Sequence, residues 1–286
     1  MTEFHKITVL GTGVLGSQIA FQTAYSGFDV TVYDISDKAL DAGRSRFSDL
    51  ARTYTKEVDG AADGKADAGL KRIRYSSDLA DAATDADLVI EAVPENIDIK
   101  RDTYTELGKA APAKTVFATN SSTLLPSDLM EFTGRPAKFL ALHFANHVWS
   151  HNTAEVMGTE KTDPAVYDDV VRFASQIGMV PIEIKKEKAG YLLNSLLVPF
   201  LNAAGELVAD GIAEPDMVDK TWRIATGAPD GPFEIFDVVG LTTAYNIAAV
   251  GTEKEKQFAK YLKDNYIDKG KLGVETGEGF YKYPRR

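Results

Sequence analysis

Three of the four histidines in this 286-residue chain, His143, His147 and His151, lie in one stretch, Phe139 to Glu155 (FLALHFANHVWSHNTAE). Imidazoles four residues apart on a helix would stack on one face and could ligate zinc. The same residues could instead supply one general base with an acidic partner, because histidine titrates near neutrality and a carboxylate on its second nitrogen fixes the tautomer. Three unrelated rings are the remaining possibility. The run around His143 is mostly apolar, lacks a Ser, Asp or Asn cap, and follows Pro-Ala-Lys, an entry suited to a strand. With a strand here, the three histidines would not be stacked. His143 would then stand at the end of an apolar strand, with Glu155 the natural acid for its second nitrogen. Spacing alone leaves this dyad and a hydrogen-bonded core histidine equally open.

The elements that must position such a base begin at the N-terminus. KITVLG, Lys6 to Gly11, has the composition of a strand, and GTGVLGSQIAFQTAYSG that of a glycine turn opening a helix that stops at Gly27. DVTVYD, Asp29 to Asp34, is a second strand ending in an acid. In such a unit Gly11 permits the tight turn, Gly13 lets backbone amides approach a pyrophosphate, and Gly16 allows close helix packing. Val14 and Leu15 complete the turn at the helix N-terminus, where free amides and the helix dipole favour anions. Asp34 follows Gly16 by eighteen positions, close to the ~20 expected of an acid on the ribose hydroxyls. A carboxylate there would repel a 2′-phosphate, so NAD is expected rather than NADP.

Composition excludes several other functions. A net charge of −10, with no run dense in Lys or Arg, argues against nucleic acid as the partner. Zero cysteines rule out disulfides, thiolate metal sites and cysteine nucleophiles, and suit a reducing compartment. No apolar run reaches the ~18 residues of a spanning helix, and no signal core opens the chain. A protein of the cytoplasm, with no membrane partner, is expected.

Four further strands are read at Ala86 to Val93, Lys114 to Asn120, Ala137 to Phe144 and Met179 to Ile184, with helices such as Asn96–Ala110 and Ala165–Ile177 between them. This alternation predicts a doubly wound, mostly parallel Rossmann-type sheet over residues 1–187. The Gly/Ala/Asp-rich stretch from Lys56 to Arg72 reads as an exposed loop or the tip of a helical hairpin. Beyond residue 188 the pattern becomes long helical runs, one spanning 233–251, which predicts a smaller all-helical domain over 188–286. Pro199 should kink the first of these helices. The domain's apolar surplus, with Trp222, Phe233 and Phe236, suggests a homodimer formed through it.

Blocks along the whole chain resemble the L-3-hydroxyacyl-CoA dehydrogenase family: VLGTGVLG, VYD, DLVIEAVPENIDIK, ATNSSTL, LHFANH, AEVM, GYLLNSLLVPFLNAA, GAPDGPFEIFDVVGL and TGEGFYKY, in order. The resemblance implies an NAD-dependent oxidoreductase interconverting an L-3-hydroxyacyl-CoA, of short chain, and its 3-keto form. By that similarity His143 matches the catalytic base, Glu155 its orienting partner, Ser122 the serine on the substrate oxygen, and Asn194 the asparagine from the helical domain. Asn146 matches the residue at the nicotinamide end, Glu95 and Lys100 the pair lining the cofactor cleft, and Asn120 joins the cofactor positions. His147 and His151 fall on no functional family position, and no metal is implied. There are departures. The family's usual His-Phe-Phe-Asn-Pro has Ala145 and His147 here, its Asn-Arg pair is Asn194-Ser195, and the helix that meets the CoA phosphates offers only Arg52 and Lys56. These departures bear on the acyl carrier, and they favour as the alternative a dehydrogenase of a free 3-hydroxy acid, similar to gulonate or carnitine dehydrogenases. A non-catalytic NAD-binding protein and a zinc hydrolase are rivals from other classes. The first should have lost the His/Glu pairing and the second should hold metal.

Overall fold

The computed structural model describes residues 3–283. Its contacts divide the chain into two compact units, Met1–Leu192 and Leu193–Arg286, so residues 188–192 fall in the first. That unit is built on one sheet with strands β1 (Lys6–Leu10), β2 (Asp29–Tyr33), β3 (Ile73–Ser76), β4 (Leu88–Glu91), β5 (Val116–Thr119), β6 (Phe139–Phe144), β7 (Thr153–Gly158) and β8 (Val180–Ile184). Their spatial order is β3-β2-β1-β4-β5-β6-β7-β8. All neighbours are parallel except β6 and β7, which run antiparallel.

Helices α1 (Val14–Tyr25), α2 (Asp37–Glu57), α3 (Lys65–Lys71), α4 (Leu79–Ala83), α5 (Ile97–Ala110) and α6 (Pro164–Gln176) connect the strands. Alternate strand residues feed two cores. Ile7, Val9, Leu88 and Ile90 pack with Phe21 of α1 and with Phe47 and Tyr54 of α2. Leu10, Val89, Phe117 and Phe139 pack with Tyr104 and Leu107 of α5. A strand covered on both faces must be apolar at nearly every position, which is why these read as unbroken apolar runs. Helix starts follow capping chemistry: Asn96 accepts from the amides of Asp98 and Ile99, and Asp163 accepts from Ala165 with Pro164 behind it.

Two strands went unread in the sequence. β3 (IRYS) alternates with an exposed arginine, and β7 (TAEVMG) carries Glu155 at its centre, so neither shows an apolar run. The stretch from Lys56 to Arg72 folds into a hairpin tip rather than an open loop. Ala66 and Gly69 of α3 are buried, and a Cβ at Gly69 would come within 3.2 Å of the Tyr25 backbone.

The second unit contains α7 (Leu193–Ala209), α8 (Pro215–Thr226), α9 (Pro232–Val239), α10 (Leu241–Ala248) and α11 (Glu253–Asn265) around Phe233, Phe236, Phe258 and Leu262. No strand occurs among its described residues. The single helical run expected over 233–251 is two helices: Gly240 adopts φ 92°, and the Leu241 amide turns to donate to the Leu272 carbonyl. Helix α7 is assigned unbroken through Pro199.

The order β3-β2-β1-β4 reverses direction between β1 and β4, which opens a crevice at the carboxyl ends of those strands. Gly11, with φ 98°, stands there, and a Cβ on it would lie 2.5 Å from the Ala92 carbonyl. Gly16 is tighter, since its Cβ would meet the Gly11 carbonyl at 2.1 Å. Gly16→Ala should therefore lower the unfolding free energy by about 1–3 kcal/mol through overpacking. Urea denaturation checks this, and an unchanged midpoint would contradict the close approach.

Candidate active site

Among the three motif glycines, Gly13 alone faces open space: a Cβ there would meet nothing within 4 Å. It is the N-cap of α1, and no side chain satisfies the helix's first amides. Val14 is exposed and Leu15 half-buried beside it. Asp34, at the end of β2, accepts from the Thr12 amide at 2.8 Å, the Thr12 hydroxyl at 2.6 Å and the Ile35 amide at 2.9 Å. Thr12 thus locks the acid to the glycine turn. The free helix terminus, the open face of Gly13 and the fixed carboxylate suit a pyrophosphate and its ribose.

Three strands along the sheet from β1, antiparallel pairing of β6 with β7 sets His143 directly opposite Glu155. Both are buried. The His143 Nδ1 to Glu155 Oε2 distance is 2.9 Å, and His143 Nε2 lies 3.1 Å from the Ser122 Oγ. With Glu155 a carboxylate, Nδ1 carries the proton and donates to it, leaving Nε2 to accept from the Ser122 hydroxyl. The other Glu155 oxygen accepts from the Leu192 amide at 2.9 Å. An imidazole held this way can take a proton at Nε2 while its charge is balanced at Nδ1.

Glu95 holds the loop that carries Ser122. Its Oε1 accepts from the hydroxyls of Ser121 (2.6 Å) and Thr123 (2.8 Å) and from the amides of Ser122 (3.1 Å) and Thr123 (2.9 Å). Burial raises the Glu95 carboxyl, but these hydrogen bonds and the Lys100 charge outweigh it and lower the group to about 2. Lys100 lies within the fold rather than on a surface. Its ammonium is 2.5 Å from Glu91 Oε1, 3.3 Å from the Val93 carbonyl and 3.4 Å from Glu95 Oε2. Glu91 is itself fully buried and also accepts from Thr119, Tyr104 and the Val93 amide. Sequence reasoning passed over Glu91, although an acid inside the apolar run LVIEAV was its signal.

The remaining candidates are placed as follows. Asn120 closes β5 onto β6, its Oδ1 accepting from the Phe144 amide at 2.9 Å. Asn146 is exposed in the turn after β6, and Asn194 lies in the first turn of α7 in the second unit. His143 sits in a strand, away from any helical stack with His147 and His151, whose rings lie 6.0 Å apart. Among the described residues no group of three His, Cys, Asp or Glu could hold a metal ion. His147 has φ 63°, and its amide donates to Gln18 Oε1 at 2.7 Å. Proline, the usual family residue there, can provide neither that angle nor that donor.

A dinucleotide cradle at the switch point of a Rossmann sheet defines the class as dinucleotide-binding proteins. The sequence matches the family models for the 3-hydroxyacyl-CoA dehydrogenase NAD binding domain over residues 6–188 and C-terminal domain over 190–283. This chain belongs to the 3-hydroxyacyl-CoA dehydrogenase family, and its cofactor is NAD. A probable 3-hydroxybutyryl-CoA dehydrogenase of Deinococcus radiodurans is 34% identical, covering 97% of this chain and 100% of that protein. The mitochondrial hydroxyacyl-coenzyme A dehydrogenase of Sus scrofa is 33% identical, covering 97% and 90%. Among solved structures, a diketoreductase described by its substrate-directed dual catalysis of dicarbonyl compounds is 72% identical, with a TM-score of 0.96 over 99% of this chain and 100% of that one.

Because the folded-state Glu95 carboxyl is depressed to about 2, its contribution to stability is fully present above the ordinary carboxylate range, near ~4.3, and is lost as pH falls toward 2. Glu95→Gln removes that contribution, so the variant should lose less stability than the parent between pH 5 and pH 2.5. Urea unfolding of both across this window is the check, with parallel losses as the contrary result.

Proposed function

We propose that the enzyme interconverts an L-3-hydroxyacyl compound and its 3-keto form, with His143 as general base in oxidation and general acid in reduction. The supporting observation is the imidazole hydrogen-bonded on both sides, to Glu155 and to Ser122. In oxidation the 3-hydroxyl proton passes to His143 Nε2 as hydride leaves the carbon, and Glu155 balances the imidazolium. Bound NAD supplies the hydride acceptor. Gly13 and the first amides of α1 would hold its pyrophosphate and Asp34 its ribose, while Asn120, Asn146 and Glu95, braced by the buried Lys100, would border the cofactor. Ser122 would orient the substrate oxygen that faces His143 Nε2.

The first carrier we propose is a short-chain CoA thioester, in line with the 3-hydroxybutyryl-CoA dehydrogenase among the relatives. A second reading, a free dicarbonyl compound or 3-hydroxy acid, is supported by the 72% identity to the diketoreductase. It is also supported by the sparse cations offered to CoA phosphates, Arg52 and Lys56, of which Arg52 is already paired with Asp49. NADH oxidation with acetoacetyl-CoA beside free acetoacetate and acetylacetone separates the two. Turnover of the thioester alone, with KM in the usual ~1 μM–1 mM range, supports the first, and preference for the free dicarbonyls supports the second. With whichever substrate turns over, His143→Gln should lower kcat by about 10²–10⁴-fold at unchanged NADH affinity. Turnover undiminished in that variant removes the assignment.

We further propose a homodimer through the second unit, whose surface exposes Leu196, Ile212, Ile224, Val238, Ile247 and Val250. Sedimentation should give twice the chain mass, and a monomeric mass at micromolar concentration rejects the proposal. The cysteine-free composition supports a cytoplasmic setting.

A further inference from the structure

Tyr191 covers one face of His143. The two rings are nearly parallel, with centroids 4.3 Å apart and 10° between their planes. Tyr191 is fully buried, and its phenol donates to the Ser121 carbonyl at 2.8 Å. Its neighbours reach the same groups: the Gly190 amide donates to the Ser122 carbonyl at 3.1 Å, and the Leu192 amide to Glu155 Oε1 at 2.9 Å. Three consecutive residues therefore grip the serine loop, the imidazole face and the carboxylate. The backbone is strained to do so. Tyr191 has φ 52°, a left-handed conformation that bulky residues rarely adopt and that glycine would take freely. A ring needed only as filler for the neighbouring core of Ala141, Met157 and Ile184 would have no cause to sit at such a backbone position.

We propose that Tyr191 is a positioning residue for His143. Its ring fixes the imidazole plane, so that Nδ1 stays aimed at Glu155 and Nε2 at the substrate oxygen, and it presents a π face to the imidazolium formed when the 3-hydroxyl proton reaches Nε2. The proposal rests on the general-base reading of His143. Burial raises the Tyr191 phenol, as do the carboxylates of Glu155, Glu95, Glu91 and Glu187 around it, so the phenol stays neutral and remains a donor to Ser121.

The test compares Tyr191→Phe, which keeps the ring and loses the hydroxyl, with Tyr191→Leu, which loses the ring. His143→Gln runs beside them, with NADH and the substrate that the parent enzyme turns over best. Tyr191→Leu should lower kcat about tenfold or more, with KM and NADH affinity within about threefold of the parent, since the contact matters when the charge forms. Tyr191→Phe should keep kcat within about threefold. A folded Tyr191→Leu enzyme with parental kcat, or one that changes only KM, overturns the proposal. So does a Tyr191→Phe enzyme as slow as Tyr191→Leu, which would shift the role to the hydroxyl. Should Tyr191→Leu not fold, Tyr191→Met and Tyr191→Trp make the same comparison of volume without and with a stacking face; equal kcat in the two rejects it. Full activity in His143→Gln would instead overturn the general-base reading, whereas loss of activity there with parental kcat in Tyr191→Leu overturns the stacking role alone.

Discussion

The candidate active site depends on one reversal in the sheet. Every strand from β3 through β6 pairs in parallel, and β7 turns against that direction. In an antiparallel ladder residues face one another directly, with Cβ atoms about 4.5–5.5 Å apart, so the His143–Glu155 pair is fixed by register before either side chain chooses a rotamer. A parallel neighbour would offer slanted hydrogen bonds and a staggered partner. The reversal also returns the chain across β8 to the segment that meets Glu155 and Ser122 from the other side.

The carboxylates around this pair, the buried Glu91 and Glu155 and the partly exposed Glu95, are handled in a common way. Glu91, Glu95 and Glu155 all surround Tyr191 in a protein that is already acidic, and each is met by N–H or O–H donors. Glu91 has the Lys100 ammonium, Glu95 has two hydroxyls and two amides, and Glu155 has an imidazole and an amide. Desolvating a charge is costly unless such donors replace water. The Glu91–Lys100 pair contributes little net stability, because a buried ion pair roughly offsets its own desolvation. What it provides is a fixed geometry, from β4 through Lys100 and Glu95 to the loop of Ser122.

Much of this was legible in the sequence because apolar runs and glycine spacing are local signals. β1, α1 and β2 follow from KITVLG, the three glycines and DVTVYD, and the strand around His143 from FLALHF. The acidic partner was reached by chemistry, since β7 carries a glutamate where an apolar residue would have marked a strand. Glu91 and Tyr191 were missed for a related reason. The importance of each lies in what surrounds it in space, and neither an acid in an apolar strand nor a tyrosine after a glycine states its partners. The break at Gly240 depends on a carbonyl thirty-two residues further on, at Leu272, which no window of local sequence contains.

The turn after β6 has a consequence for how the sequence can change. His147 holds φ 63°, and its amide reaches Gln18 across 129 positions of chain. Gln18 is buried in α1, so the carboxamide and the histidine amide satisfy one another. Return to the proline usual in the family would remove this donor and forbid the backbone angle in a single step, leaving Gln18 Oε1 only the longer 3.4 Å contact from the Val148 amide. Proline at position 147 would therefore require the backbone of this turn to be rebuilt, which ties the residue allowed there to its contact with α1.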